Sequence, residues 1–152
     1  MQVNSHRLGE LAVQESDIIY FPQGIPAFPE CHRFIVVELA ADSPFSFLQS
    51  VDEGALSWVA VNPFCFFPDY QFALREEERD ALRLQDAGDD FAVLNFVTIR
   101  DSLDKATVNL KAPLVINVPH RLGKQVILDT PRYLIQHPLL TEAPGPSQVE
   151  EG

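Results

Sequence analysis

What most constrains this chain is the way its apolar residues are parcelled. Short runs rich in Val, Ile and Phe recur between polar or Pro/Gly breaks: DIIYF (17–21), FIVVEL (34–39), SFLQSV (46–51), SWVAVN (57–62), FAVLNFVTI (91–99), PLVINV (113–118) and KQVIL (124–128). Runs of this length, enriched in β-branched and aromatic residues, predict strands. Weaker pieces near Val3 and at Leu11 to Val13, split by Gly9, predict a first hairpin. The connections are too short for repeated crossover helices, which argues against a parallel α/β sheet. In FAVLNFVTI one face carries Phe91, Val93, Val97 and Ile99 and the other Ala92, Leu94 and Phe96, the pattern of a strand covered on both sides. The expected fold is therefore mostly β and single-domain, a mostly antiparallel barrel or sandwich.

One short helix is expected, over LREEERDALRL (74–84), which lacks Pro and Gly. Leu74, Ala81, Leu82 and Leu84 can share its inner face. Glu76, Glu77 and Glu78 fall in the first turn, where carboxylates suit the positive end of the helix dipole. Glu76 with Arg79 and Asp80 with Arg83 supply i,i+3 pairs, and Gly88 is the expected stop. The domain is expected to span residues 1–140. Residues 141–152, TEAPGPSQVEEG, have almost no apolar content and read as a disordered acidic tail.

With 152 residues the chain is long enough to bury a real core. No stretch approaches the roughly 18 apolar residues of a membrane span, and MQVNSHRLGE shows no secretory signal, so a cytoplasmic setting is expected. Cys31 and Cys65 form no CxxC pattern and are expected to be buried, reduced thiols. Eleven basic against twenty-two acidic residues give a net charge of −11, which repels phosphate backbones and makes direct nucleic-acid binding unexpected. A basic protein would instead be drawn in, within a Debye length of about 8 Å; acidity of this kind also simply aids solubility.

Catalytic signatures are lacking. His6, His32, His120 and His137 are scattered without metal-ligand spacing, and the adjacent Cys31 and His32 would face opposite ways on a strand. There is no GxSxG, no phosphate-cradling glycine loop and no GxGxxG. No catalytic, cofactor-binding or metal-binding residue is therefore assigned. Local oddities remain. YFPQGIPAFPE (20–30) packs three prolines and a glycine into a segment that should be rigid. NLKAPLVINVPHRLGKQVIL (109–128) reads as an extended piece, a turn near Arg121 to Gly123 and a returning strand. VNPFCFFPDYQF (61–72) places five aromatics between and around Pro63 and Pro68, which forbid an uninterrupted central strand. It reads as a corner, part core and part surface, with the PDY shoulder the more open part.

In this order, DIIYFPQGIPAF, DSPFSFLQSV, NPFCFFPDY, NLKAPLVIN, GKQVIL and YLIQHPL resemble the bacterial flagellar assembly factor FliW family, over about Leu8 to Leu140. Ala27 stands where that pattern has glycine. The resemblance implies a small cytoplasmic protein with a compact β-barrel-like fold, no cofactor, no enzymatic activity and a monomeric free state. It implies two partners: flagellin, held before export, and CsrA, an RNA-binding translational repressor that is antagonised away from its RNA surface. Flagellin translation would thereby be tied to export.

Phe64, Phe67, Asp69 and Tyr70 are the candidate partner patch, with Glu76, Glu77 and Glu78 as its acidic rim. The alternative is that Phe66, Phe67 and Phe72 are core and the glutamates a solvated helix face. Asn109 and Lys111 match the family motif, as does Asn117, although asparagines near strand ends also satisfy turns. A different class stays open as well: a small-ligand-binding barrel or an enzyme, suggested by Cys31, His32 and the aromatic cluster.

Overall fold

The computed structural model describes residues 1–26, 28–84 and 90–140. The expectations for Ala27, for Gly88 and for the tail at 141–152 fall outside those residues. Among the described residues eleven strands and one α-helix are formed. The first hairpin pairs β1 (Gln2–Ser5) with β2 (Gly9–Ala12) as a separate two-stranded sheet, and Gly9 takes the left-handed φ of +78° that its turn requires.

The remaining strands form one sheet, and its central run closes on itself. β3 (Ile19–Tyr20), β4 (Arg33–Glu38), β5 (Phe45–Ser50), β6 (Ser57–Val61) and β7 (Phe91–Thr98) follow one another as antiparallel neighbours. β7 then pairs with β9 (Leu114–Asn117), β9 with β10 (Leu122–Gln125), and β10 returns to β3. This is the barrel-like arrangement that the family resemblance implies, and of the barrel and sandwich left open by the strand pattern it is the barrel. Its one parallel seam, β3 with β10, is a single bridge at Tyr20 and Leu122, reinforced where the Tyr20 N–H donates to the Arg121 carbonyl at 2.9 Å. Outside the ring, β8 (Thr107–Val108) extends from β7, and β11 (His137–Pro138) lies on the edge.

Alternation along each strand sends residues to two different cores. Inside the ring, Phe21, Phe34, Leu48 and Leu114 are fully buried, with Trp58 stacked on Phe96 at 5.0 Å. Each such side chain contributes on the order of 1.5–3 kcal/mol. Outside the ring, Val61, Val93, Val97, Val108 and Val115 form a second core, covered by the chain from Asn62 to Leu84 and by Val126, Leu128, Tyr133 and Leu139. The middle of FAVLNFVTI, Val93 to Val97, is thus covered on both faces, while Phe91, Ala92 and Ile99 at its ends are exposed. A third, smaller cluster seats Val3 and Val13 of the first hairpin on Ile35 of β4.

Several local readings are corrected. The helix, α1, spans only Glu76–Leu82 and ends at Arg83, whose φ of 58° is left-handed. Leu82 and Leu84 are buried and Leu74 half-buried as expected, but Ala81 faces solvent. Gly123 belongs to β10 rather than to the turn, which occupies 118–121 with the Arg121 N–H donating to Val118 at 3.3 Å. Cys31 is half-buried and Cys65 exposed, where both were expected inside.

Candidate interaction surface

The segment VNPFCFFPDYQF crosses the outer core as a corner. Asn62 starts it by accepting the Phe64 N–H at 3.0 Å, and a single 3-10 turn follows over Pro63–Cys65. A proline at the first position of that turn costs no backbone hydrogen bond. Phe64 is left 44% exposed while Phe66, Phe67 and Phe72 pack half-buried on the outer core. The corner is therefore divided, as read from the sequence. The division falls elsewhere, because Tyr70 of the PDY shoulder is only 4% exposed.

Tyr70 is the centre of a buried polar and aromatic knot. Its hydroxyl donates to the Leu110 carbonyl at 2.6 Å and accepts from Asn95 Nδ2 at 3.2 Å. The same Asn95 amide donates to the Asn109 carbonyl at 2.9 Å. Asn95 is the polar interruption of β7, and here it ties the corner to the loop before β9. Burial pushes the Tyr70 hydroxyl up to about 12. Tyr133 meets Tyr70 edge-on at 4.7 Å, and its hydroxyl accepts the Gln71 N–H at 3.1 Å.

The glutamates separate in the same way. Glu76 and Glu77 are exposed, but Glu78 is 3% exposed. Its carboxylate accepts the Arg75 N–H and Arg75 Nη2, each at 2.8 Å, closing the first turn of α1. Burial alone would raise its pKa, but the hydrogen bonds and charge of Arg75 prevail and hold it below the ordinary carboxylate value. Arg75 also lies 3.6 Å from Glu77 and 3.6 Å from Asp129.

Around this knot two grooves open, of about 370 and 280 Å³, sharing Arg132 and Tyr133. One runs between the Gln71–Arg75 stretch and Val126–Thr130. The other is bounded by Phe66, Phe67 and Asp69, with His137 edge-on to Phe67 at 5.3 Å. Of the expected patch, Phe67 and Asp69 line the second groove, while Phe64, Glu76 and Glu77 are exposed but line neither. Tyr70 and Glu78 are corrections: both hold the fold from inside. Asn109 is half-buried and accepts the Ala112 N–H at 3.1 Å, the turn role weighed for it, and half-buried Lys111 accepts the Leu128 N–H through its carbonyl at 2.8 Å. Asn117 was legible only as a motif position. It donates to the Leu82 carbonyl at 2.7 Å and so fastens the end of α1 to β9.

The enzymatic alternative gains no constellation here. His32 Nδ1 donates to the Phe21 carbonyl at 2.9 Å, and no cluster of three His, Cys, Asp or Glu suited to a metal is present among the described residues. No helix among them is long and apolar enough to cross a membrane.

Fold and surface together define a small, barrel-like β protein whose faces offer open grooves. Comparison with known proteins places it further. The family model described as FliW protein matches residues 2–139. A flagellar assembly factor FliW of Thermoanaerobacter pseudethanolicus is 39% identical over 143 residues, covering 93% of this chain and 95% of the relative. One of Desulfitobacterium hafniense is 40% identical over 152 residues, covering 100% of this chain and 99% of the relative. A crystal structure of the flagellar assembly factor FliW superposes with a TM-score of 0.87 at 38% identity, over 94% of this chain and 99% of that one. The chain belongs to the FliW family.

Proposed function

We propose that the chain is a flagellar assembly factor that works by binding other proteins. In this reading it holds flagellin in the cytoplasm before export. It also antagonises CsrA by binding it away from the surface that contacts RNA. The free protein is a monomer, and the two partners exclude one another, so that accumulated flagellin captures the factor and frees the repressor.

The observation that carries this reading is near-full-length similarity to proteins named as flagellar assembly factors. The net charge of −11 adds physical support, since an acidic surface attracts a basic RNA-binding protein and repels RNA from the complex. The solvent-reachable aromatic and acidic residues Phe64, Phe67, Asp69, Glu76 and Glu77, of which Phe67 and Asp69 line a groove, are the candidate contact surface.

Calorimetric titration of the purified protein with flagellin and with CsrA is the test. Micromolar or tighter binding of each, with the first bound partner blocking the second, is expected. Absence of binding to both at micromolar concentration overturns the reading.

A further inference from the structure

The groove of about 370 Å³ is walled by two main-chain edges that do not pair. On one side the chain runs past β10 as a strand. The Val126 N–H donates to the Pro113 carbonyl at 2.9 Å and the Leu128 N–H to the Lys111 carbonyl at 2.8 Å, which continues the β9–β10 register. Val126 and Leu128 are buried while Ile127 and Asp129 are exposed, the alternation of a strand. Successive residues of a strand send their N–H and C=O to opposite edges, so those of Ile127 and Asp129 point away from β9. β3 takes that edge only at Leu122. Among the described residues neither N–H meets a backbone carbonyl. On the other side Gln71, Ala73 and Arg75 are exposed and Phe72 and Leu74 half-buried, again an extended alternation. The Gln71 N–H donates to the Tyr133 hydroxyl, on the groove wall, so the Ala73 N–H two positions on points the same way. It too meets no backbone carbonyl among the described residues. The two segments run antiparallel, with Gln71 at Tyr133 and Arg75 Nη1 3.6 Å from Asp129 Oδ2, and side chains rather than main-chain bonds span the groove.

The main chain says what class of ligand fits. An ion or a small molecule answers one such donor, whereas donors and acceptors repeating every second residue along the walls match the backbone of an extended polypeptide. A strand lying there is paired along both of its edges, so it cannot already belong to a sheet. That excludes the matching strand of a second copy, whose inner edge is held by β9. Charge then sets the direction. At the Arg75 end three carboxylates, Glu77, Glu78 and Asp129, share one guanidinium. At the other end Arg132 is exposed, lies over the Tyr133 ring at 5.4 Å and has no carboxylate partner among the described residues. One end of the groove therefore favours a basic side chain and the other an acidic one.

The geometry points to this groove as a strand-addition site: an unstructured segment of another protein lies between Ala73 and the Ile127–Asp129 edge as an extra strand. Its alternate apolar side chains face Phe72, Val126 and Leu128, with an acidic residue at Arg132 and a basic one at Asp129. The site shares no residue with the contact surface of Phe64, Phe67, Asp69, Glu76 and Glu77, and it stands whichever proteins that surface binds.

Panning a display library of random linear dodecapeptides against the full chain, followed by amide hydrogen exchange with the selected peptides, tests this. The expected consensus is a run of alternating apolar residues between an acidic and a basic one. Bound peptide is expected to slow exchange at Ala73, Ile127 and Asp129 by roughly tenfold or more. N-methylating the peptide at alternate residues, in either phase, removes hydrogen bonds to one wall and is expected to weaken binding by roughly tenfold, with no change to the protein. Ile127→Pro closes the outer edge while leaving the Val126 and Leu128 bonds in place, and is expected to weaken binding similarly. Arg132→Glu is expected to replace the acidic position of the consensus by a basic one, and Phe64→Ala to leave binding unchanged. Failure to enrich a consensus, N-methylated peptides that bind as well as their parents, or binding without protection of those three amides overturns the proposal. Slow exchange at Ile127 and Asp129 in the free protein does so too, since this chain's own residues would then hold that edge. Protection that grows with protein concentration would make a second copy the occupant and has the same consequence. Binding of flagellin and CsrA is measured separately, so either inference can fail while the other stands.

Discussion

The Tyr70 hydroxyl donates to the Leu110 carbonyl across forty positions of sequence, at 2.6 Å, and so locks the aromatic corner onto the loop that feeds β9. Replacing Tyr70 by Phe keeps the ring packed against Tyr133 and Phe72 but leaves the Leu110 carbonyl and an Asn95 donor short of a partner. The expected loss is about 1–2 kcal/mol in urea unfolding at pH 7. Alkali provides a second readout. With the folded hydroxyl at about 12 and the unfolded one at its ordinary 10, only the unfolded state ionises between those values. Stability present below pH 10 should therefore fall as pH rises toward 12, by up to about 2–3 kcal/mol from this group. A Tyr70→Phe variant whose alkaline slope matches the parent's would refute the assignment.

At the acid end the corresponding group is Glu78. Arg75 holds its folded pKa below the ordinary 4.5, so its contribution is present above that value and is lost as pH falls through the folded one. Glu78→Gln should lower the melting temperature at pH 7 yet flatten its decline between pH 5 and 3. Arg75→Ala should be the more damaging at neutral pH, because it strands a buried carboxylate. Equal melting temperatures for parent and Arg75→Ala at pH 7 would count against this pair as the lock on α1.

Both residues show how far the sequence could be read. The alternation of Val93 and Val97 with Leu94 and Phe96 announced a strand packed on both sides, and two cores are there to receive it. In contrast, Glu76, Glu77 and Glu78 are indistinguishable in a linear reading. Only the turn of the helix carries the third inward, to a partner at Arg75 that a hydropathy pattern does not rank. Tyr70 misleads for a related reason, since a prolyl shoulder looks open until the partner from β7, Asn95, is brought beneath it. β8 and β11 are two-residue strands with too little pattern to be seen, and their pairing is tertiary.

Gly123 marks the weakest point of the ring, next to the single parallel bridge. A Cβ added there would lie 2.5 Å from Phe21 Cζ, with the other ring atoms scarcely farther. Phe21 is fully buried and cannot swing away without opening the inner core. Gly123→Ala is expected to cost roughly 1–3 kcal/mol, the range for overpacking. The control Gly9→Ala tests something different, since nothing lies within 4 Å of a Cβ added there and only the left-handed φ resists. Thermal unfolding of the two variants, with near-ultraviolet circular dichroism reporting the ring around Trp58, separates a packing cost from a backbone one. An unchanged Gly123→Ala melting curve would show that the β3–β10 seam is looser than drawn.

The thiols should react at different rates. Cys65 is exposed, whereas Cys31 is half-buried, and burial followed by the charges of Glu30, Glu53 and Asp52 pushes its pKa up. A higher pKa and a covered sulfur both lower the supply of reactive thiolate. Titration with Ellman's reagent at pH 8 is expected to give one fast and one slow phase, the fast one absent in Cys65→Ser. A single phase counting two thiols would contradict the packing around Cys31.

Salt distinguishes steering from contact at the proposed CsrA interface. Glu76 and Glu77 are the exposed carboxylates of the helix's first turn, with Asp80 exposed one turn on, since Glu78 is held by Arg75. If they guide a basic partner, its association rate should fall several-fold between about 50 and 500 mM salt, while dissociation changes less, because screening acts on approach rather than on groups already in contact. Glu76→Lys with Glu77→Lys should lower the low-salt association rate and remove most of its salt dependence, leaving the melting temperature nearly unaltered, as expected for exposed charges. Surface plasmon resonance at graded ionic strength reads both rates. An association rate flat across that range for the parent would assign the acidic helix to solubility rather than to recognition, and would move the search for the contact surface to Phe64, Phe67 and Asp69.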